Sequence, residues 1–178
     1  VGGKKINESA SGQCIDVGLE LGGKDPAYIR EDADLDLTVP NVMDGVFYNA
    51  GQSCCSIERI YIHHSKMNEF VDRAVQYMNK LKIGDPLDMG TSIGPMAQES
   101  GIETIKKQLK DAKSNGANIK YHPGPLPNSR NYILPAILTN VNHNMDVMMK
   151  ESFGPIVGIM GVDSDEQAIA LMNDSPYG

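Results

Sequence analysis

Short apolar runs of strand-like pattern alternate along this chain with segments whose apolar residues recur every third or fourth position, and that alternation limits the architecture more than any other feature. Arg59-Ile60-Tyr61-Ile62-His63 alternates in β fashion, and residues 156–162 form a nearly all-apolar strand. Between them Met67, Phe70, Val71, Ala74, Val75, Met78 and Leu81 fall on one helical face, with Gly84-Asp85-Pro86 as the stop. Ile102, Ile105, Leu109 and Ala112 mark a second amphipathic helix, closed by Asn115-Gly116. A strand is expected over 118–121, then an exposed loop to Asn131. A further strand over 132–138 is interrupted by Pro135, hence bent or near an edge. Residues 165–172 read as a short helix.

The first third follows the same logic. Residues 1–12 read as the end of a helix, 15–21 as a strand and 26–29 as a second short strand. Asp32-Ala33-Asp34 places acidic groups at a helix N-terminus, where they face the positive end of the dipole. That helix is expected to run past Pro40 and through Val42, Met43, Val46 and Phe47 toward Cys54. Strands that are apolar on both sides, separated by helices, predict an α/β fold: an open, mostly parallel twisted sheet with helices on both faces.

Composition narrows the function classes. A chain of 178 residues supports one domain with a real core. Its net charge of −7, with basic residues scattered along helices, argues against nucleic acid as a partner. Apolar runs are broken well short of a bilayer's thickness, so no membrane partner is expected. Three cysteines, an odd number without CxxC spacing, fit a reducing compartment. The cytoplasm is the expected location, an organelle such as the mitochondrion being the alternative. His63, His64, His122 and His143 lack metal-ligand spacing, so surface positions and no metal are expected.

Chemistry concentrates in two segments. Asn49-Ala50-Gly51-Gln52-Ser53-Cys54-Cys55 ends the helix with a small, flexible turn and then presents a thiol. Leu19-Glu20-Leu21-Gly22-Gly23-Lys24 sets a carboxylate in an apolar stretch, where burial would raise its pKa toward that of a base working near neutrality. A thiol together with such a carboxylate points to covalent catalysis followed by activation of water.

These two segments, with Glu151-Ser152-Phe153-Gly154-Pro155 following in the same order, resemble the three signatures of the NAD(P)-dependent aldehyde dehydrogenase superfamily. Asn173-Asp174-Ser175-Pro176-Tyr177-Gly178 is similar to a further family segment. The resemblance implies an aldehyde oxidised to a carboxylic acid with NAD or NADP. It makes Cys54 the nucleophile, with its backbone N–H an oxyanion donor, and Glu20 the base that deacylates the thioester. Glu151 would hold the nicotinamide ribose hydroxyls and Phe153 would wall the nicotinamide. Leu21 and Gly2 are likewise implied on the coenzyme side, Val1-Gly2 resembling the tail of a turn near the coenzyme phosphates. Residues 1–20 then correspond to the end of the coenzyme-binding domain and a crossover strand, and 21–178 to the catalytic domain. The rest of the coenzyme domain and the C-terminal oligomerisation strand are expected outside these residues, in a parent that is a homodimer or homotetramer.

Other readings of the same residues stand beside these. Cys54 could be a small buried hydrophobe, and Glu20 a strand residue facing solvent. Glu151 could be a loop acid, Phe153 a core aromatic, and Lys24 either a loop-positioning group or a surface lysine. Cys55 and Ser53 are expected to flank the site, and Cys14 to be structural. The alternative functions are a coenzyme-independent thiol esterase or acyltransferase, or a non-catalytic structural relative.

Overall fold

The computed structural model describes residues 2–128 and 131–177. Val1 of the expected Val1-Gly2 turn, Ser129 and Arg130 of the long loop, and Gly178 of the last segment lie outside them. In chain order the elements are α1 (Gly2–Ser11), β1 (Asp25–Ile29), α2 (Leu35–Phe47), β2 (Ile57–His63) and α3 (Met67–Asn79). Then come α4 (Glu99–Ser114), β3 (Asn118–Tyr121), β4 (Ala136–Thr139), α5 (Asp146–Met149), β5 (Ile156–Val162) and α6 (Asp165–Asn173).

The strands form one sheet in the order β1-β2-β5-β4-β3. All neighbours are parallel except β3, which runs antiparallel to β4. Ile29 lies opposite Ile62, Ile60 opposite Ile159, and Ile137 opposite Val157. Five consecutive residues of β2, from Glu58 to Ile62, are buried, as are the first four of β5. Successive strand side chains point to opposite faces, so helices cover both faces of the sheet centre. This is the α/β architecture expected from the sequence.

Local chemistry explains the helix borders. The Asp34 side chain accepts the Asp36 amide at 2.9 Å and starts α2. In α3, Phe70, Ala74 and Met78 are fully buried. Burying a side chain the size of Phe70 or Met78 contributes about 1.5–3 kcal/mol. Ser164 caps α6 by accepting the Gln167 amide at 3.2 Å.

Several sequence expectations need correction. Residues 15–21 form no strand, because no neighbouring strand of this sheet supplies a ladder for them. Helix α2 ends at Phe47 rather than continuing toward Cys54. Helix α3 ends at Asn79, short of Leu81 and the Gly84 stop, where the chain tightens into turns (Lys80 N–H to Tyr77 O, Leu81 N–H to Met78 O, both 3.1 Å). Strand β4 begins only after Pro135, whose nitrogen has no hydrogen for a ladder, and lies one strand in from the β3 edge.

Candidate active site

The thiol segment is built on a sharp change of direction after α2. A 3₁₀ turn over Tyr48–Gly51 holds Asn49, Ala50 and Gly51 in the left-handed region, with φ of 50°, 55° and 70°. Such conformations cost non-glycine residues on the order of 1–3 kcal/mol each and persist only when surrounding bonds impose them. Here Asn49 Nδ2 donates to the Gln52 carbonyl at 2.9 Å, and Gln52 Nε2 donates back to the Asn49 carbonyl at 3.1 Å. The Gln52 side chain also reaches residues 95–97, accepting the Ala97 amide at 2.8 Å and donating to the Pro95 carbonyl at 3.3 Å. The next turn is closed by the Ser56 amide on the Ser53 carbonyl at 3.2 Å, which puts Cys54 and Cys55 at its corner. Ser56 Oγ pins that turn to α2 through the Gly45 carbonyl at 3.1 Å.

Both corner thiols are free and exposed, so Cys54 is not a core residue. They differ in surroundings. Cys55 Sγ lies 3.3 Å from Ser53 Oγ and 3.4 Å from the Tyr48 hydroxyl. Tyr48 also donates to Ser53. The hydrogen bonds from Ser53 first and Tyr48 second push the Cys55 thiol below its ordinary pKa.

Glycines bring the three signature segments together. A Cβ on Gly22 would fall inside the Glu151 carboxylate, and one on Gly23 would sit 3.2 Å from the Cys54 carbonyl oxygen. A Cβ on Gly51 would collide with the Gly154 carbonyl. A side chain at position 22 or 51 would clash and one at position 23 would be tight, so the Glu20-bearing, Cys54-bearing and Glu151-bearing loops are mutually seated. The Gly23 amide donates to Glu151 Oε1 at 3.1 Å. Burial nevertheless wins over that bond and pushes the Glu151 carboxyl above its usual range.

Beneath these loops lies a buried polar network. Lys24 and Glu58 are 1% and 3% exposed, with Nζ 2.7 Å from Oε2. Burial pulls the Lys24 ammonium below its ordinary pKa, opposed by the adjacent Glu58. Lys24 Nζ also donates to Ser152 Oγ at 2.9 Å, and Arg59 Nε to the Lys24 carbonyl at 2.7 Å. Lys24 is therefore a loop-positioning group and not a surface lysine. Glu58 is a residue that the sequence reading missed. Its strand neighbours Arg59 and His63 make β2 mixed in polarity, so no local pattern marked it out.

Two clefts open beside the loops. One, of about 410 Å³, is lined by Gln52, residues 96–98, Ser100, Gly101, Thr104 and Glu151 to Phe153. The other, of about 570 Å³, shares Gln52, Met96, Ala97 and Phe153. Phe153 has a φ of 48° and is 42% exposed, so it walls the clefts instead of filling the core.

Other expected residues stand apart. Glu20 is exposed, not buried, because the segment that carries it joins no sheet. Leu21 is 64% exposed, Gly2 is exposed at the start of α1, and neither lines these clefts. Cys14 is exposed and packs no core. His122 is buried, contrary to its expected surface position. Its Nδ1 accepts the Gly124 amide at 3.0 Å, which leaves Nε2 to donate to the Leu81 carbonyl at 2.9 Å. His143 bridges the Tyr61 hydroxyl and Asp174 Oδ2, each at 2.7 Å. No metal-ligand cluster occurs among the described residues. No helix among them is long and apolar enough to cross a membrane.

The family model described as "Aldehyde dehydrogenase family" matches residues 2–178. Aminoaldehyde dehydrogenase 2, peroxisomal, of Pisum sativum is 38% identical over 179 residues, covering 99% of this chain and 35% of the relative. Betaine aldehyde dehydrogenase, chloroplastic, of Atriplex hortensis is 37% identical, covering 99% and 36%. The chain thus spans about a third of the length of the curated relatives it matches. Among solved structures, betaine aldehyde dehydrogenase from Staphylococcus aureus in complex with NAD+ superposes with a TM-score of 0.91 at 32% identity, over 99% of this chain and 36% of that one. Lactaldehyde dehydrogenase from Escherichia coli gives 0.90 at 33% identity, over 99% and 37%. By the seating of its three signature loops and a family match running over nearly all its residues, the chain belongs to the aldehyde dehydrogenase family.

Proposed function

We propose that residues 21–178 are catalytic-domain sequence of an NAD(P)-dependent aldehyde dehydrogenase, with residues 1–20 the approach from its coenzyme-binding domain. The observation that carries this is the glycine-mediated contact of the loops bearing Glu20, Cys54 and Glu151. In this reading the Cys54 thiolate adds to the carbonyl carbon of an aldehyde, forming a carbon–sulfur bond and an oxyanion. In the same reading the Cys54 backbone N–H would donate to that oxyanion. A bound nicotinamide supplies the two-electron acceptor that turns the adduct into a thioester. Glu20 then takes a proton from water, the resulting hydroxide adds to the acyl carbon, and the Cys54 thiolate leaves. Glu20 is exposed, so water from solvent has access to its carboxylate. The product is a carboxylic acid.

Glu151 and Phe153 fit a nicotinamide riboside: the carboxylate can accept two ribose hydroxyls and the ring can cover the heterocycle, both beside the 410 Å³ cleft. Gly2 and Leu21 would meet the coenzyme from the other side. Three free thiols favour a reducing compartment such as the cytoplasm. The reading carries a homodimer or homotetramer, which light scattering on the full-length enzyme tests.

The test of the mechanism is Glu20→Gln in the full-length enzyme. Deacylation should slow by about 10²-fold, the lower end of general-base contributions, while one equivalent of NADH still appears as a burst. Loss of burst and turnover together would place Glu20 before acyl formation and overturn its assignment.

Coenzyme binding should depend on pH through Glu151. Only the carboxylate accepts from both ribose hydroxyls, and burial has raised its pKa, so the protonated form persists to higher pH than for an ordinary glutamate. The KM for NAD should therefore rise as pH falls through that raised pKa, and Glu151→Gln should flatten the profile. A wild-type KM that is flat with pH would contradict the role.

A further inference from the structure

The Lys24–Glu58 pair takes no part in the chemistry above, yet it is among the most deeply buried polar groups of the molecule. Glu58 sits on β2 between β1 and β5, at the register shift opposite Asp25 and Pro26 and one residue before the doubly paired stretch that begins at Arg59, so its carboxylate is carried by a strand held on both sides. Its two oxygens face two successive amides of the loop above: Oε2 accepts the Ser152 N–H at 2.7 Å and Oε1 accepts the Phe153 N–H at 2.8 Å. Those two residues follow Glu151 directly.

We propose that Glu58 is a positioning residue for coenzyme: by gripping the Ser152 and Phe153 amides while paired with Lys24, it sets the Glu151 carboxylate and the Phe153 ring against the cleft and thereby governs nicotinamide-coenzyme affinity without touching the coenzyme. The inference rests on the reading of Glu151 and Phe153 as coenzyme contacts and adds the group that holds them.

Three observations converge on it. Phe153 is one of the few non-glycine residues with positive φ, a conformation that needs an external hold, and the Glu58 bond to its amide supplies one. The loop is also held from the helical side. Ser152 Oγ donates to Gln108 Oε1 at 2.7 Å, and Gln108 Nε2 donates to the Glu151 carbonyl at 3.1 Å and the Lys150 carbonyl at 3.3 Å. Finally, the geometry demands a carboxylate. Two amide donors and an ammonium converge on two oxygens, and an amide at position 58 would turn its NH₂ toward one of those donors. The pair also ties the loop to the Gly22-Gly23 turn, since Lys24 follows it directly and the Gly23 amide grips Glu151.

The experiment compares Glu58→Gln, Glu151→Gln and wild type. In the full-length enzyme, Glu58→Gln should raise the KM for NAD by about tenfold or more while kcat at saturating coenzyme falls much less. In the 178-residue chain, amide hydrogen exchange at Ser152 and Phe153 should accelerate by about 100-fold relative to Ile159 in β5. Glu58→Gln with unchanged coenzyme KM and a raised KM in Glu151→Gln overturns the proposal. An unchanged KM in Glu151→Gln refutes instead the reading beneath it, so the two failures are distinct. If Glu58→Gln does not fold, the Lys24→Met/Glu58→Gln double variant, which buries no unpaired ammonium, is read by the same criteria.

Discussion

Replacing Cys54 with alanine in the full-length enzyme is expected to reduce kcat/KM for aldehyde oxidation by about 10⁴-fold or more, the scale on which loss of a covalent nucleophile is felt. The fold should be indifferent to the change. Cys54 is exposed at the corner of the Ser53–Ser56 turn, and exposed substitutions away from caps and buried networks usually stay within about 0.5 kcal/mol. Coenzyme affinity should also survive, because Glu151 and Phe153 are held by Glu58 and Gly23, not by the Cys54 side chain. Cys55→Ser is the necessary companion. Its sulfur sits among the Ser53 and Tyr48 hydroxyls and has the depressed pKa, so it is the one rival nucleophile at this corner. Retention of most oxidation in Cys55→Ser and its loss in Cys54→Ala assigns the chemistry. The opposite pattern would move the nucleophile by one residue.

Lys24→Met should have the largest effect on stability, measurable in the 178-residue chain by urea denaturation. The substitution removes the ammonium and leaves the Glu58 carboxylate buried beside a side chain that cannot hydrogen-bond it. Breaking a buried pair in this way costs about 3–5 kcal/mol, a large share of a small domain's stability. The midpoint should fall while the denaturant slope stays constant, since the surface exposed on unfolding is unchanged. Lys24→Met/Glu58→Gln should recover part of the loss by removing the orphaned charge. A loss below about 1 kcal/mol in the single variant, typical of solvent-screened pairs, would show that water reaches the pair.

How much of this was legible depended on where the partners of each residue lie. Residues 156–162 could be read directly, because a nearly continuous apolar run has only a doubly covered strand to become in this setting. The helix carrying Ile102, Ile105 and Leu109 was equally plain, its buried face following the 3.6-residue period. Residues 15–21 misled for the complementary reason: their alternation signals a strand only if another strand accepts their hydrogen bonds, and this sheet offers none. The same error made Glu20 look buried. The signature residues Cys54, Glu151 and Phe153 stood out as motifs, but the seating of their loops did not, since it rests on glycine backbones far apart in sequence. Glu58 was hidden most deeply. Its partners are 34, 94 and 95 positions away, and no local pattern tells a buried strand carboxylate from a solvated one.

The most direct measurement is intact-protein and peptide mass spectrometry of the full-length Glu20→Gln enzyme, quenched in acid after mixing with aldehyde and NAD. A covalent acyl group should accumulate, adding the mass of the aldehyde less two hydrogens, and it should map to Cys54. An acyl group on Cys55, or oxidation proceeding with no thiol ever modified, would contradict the account.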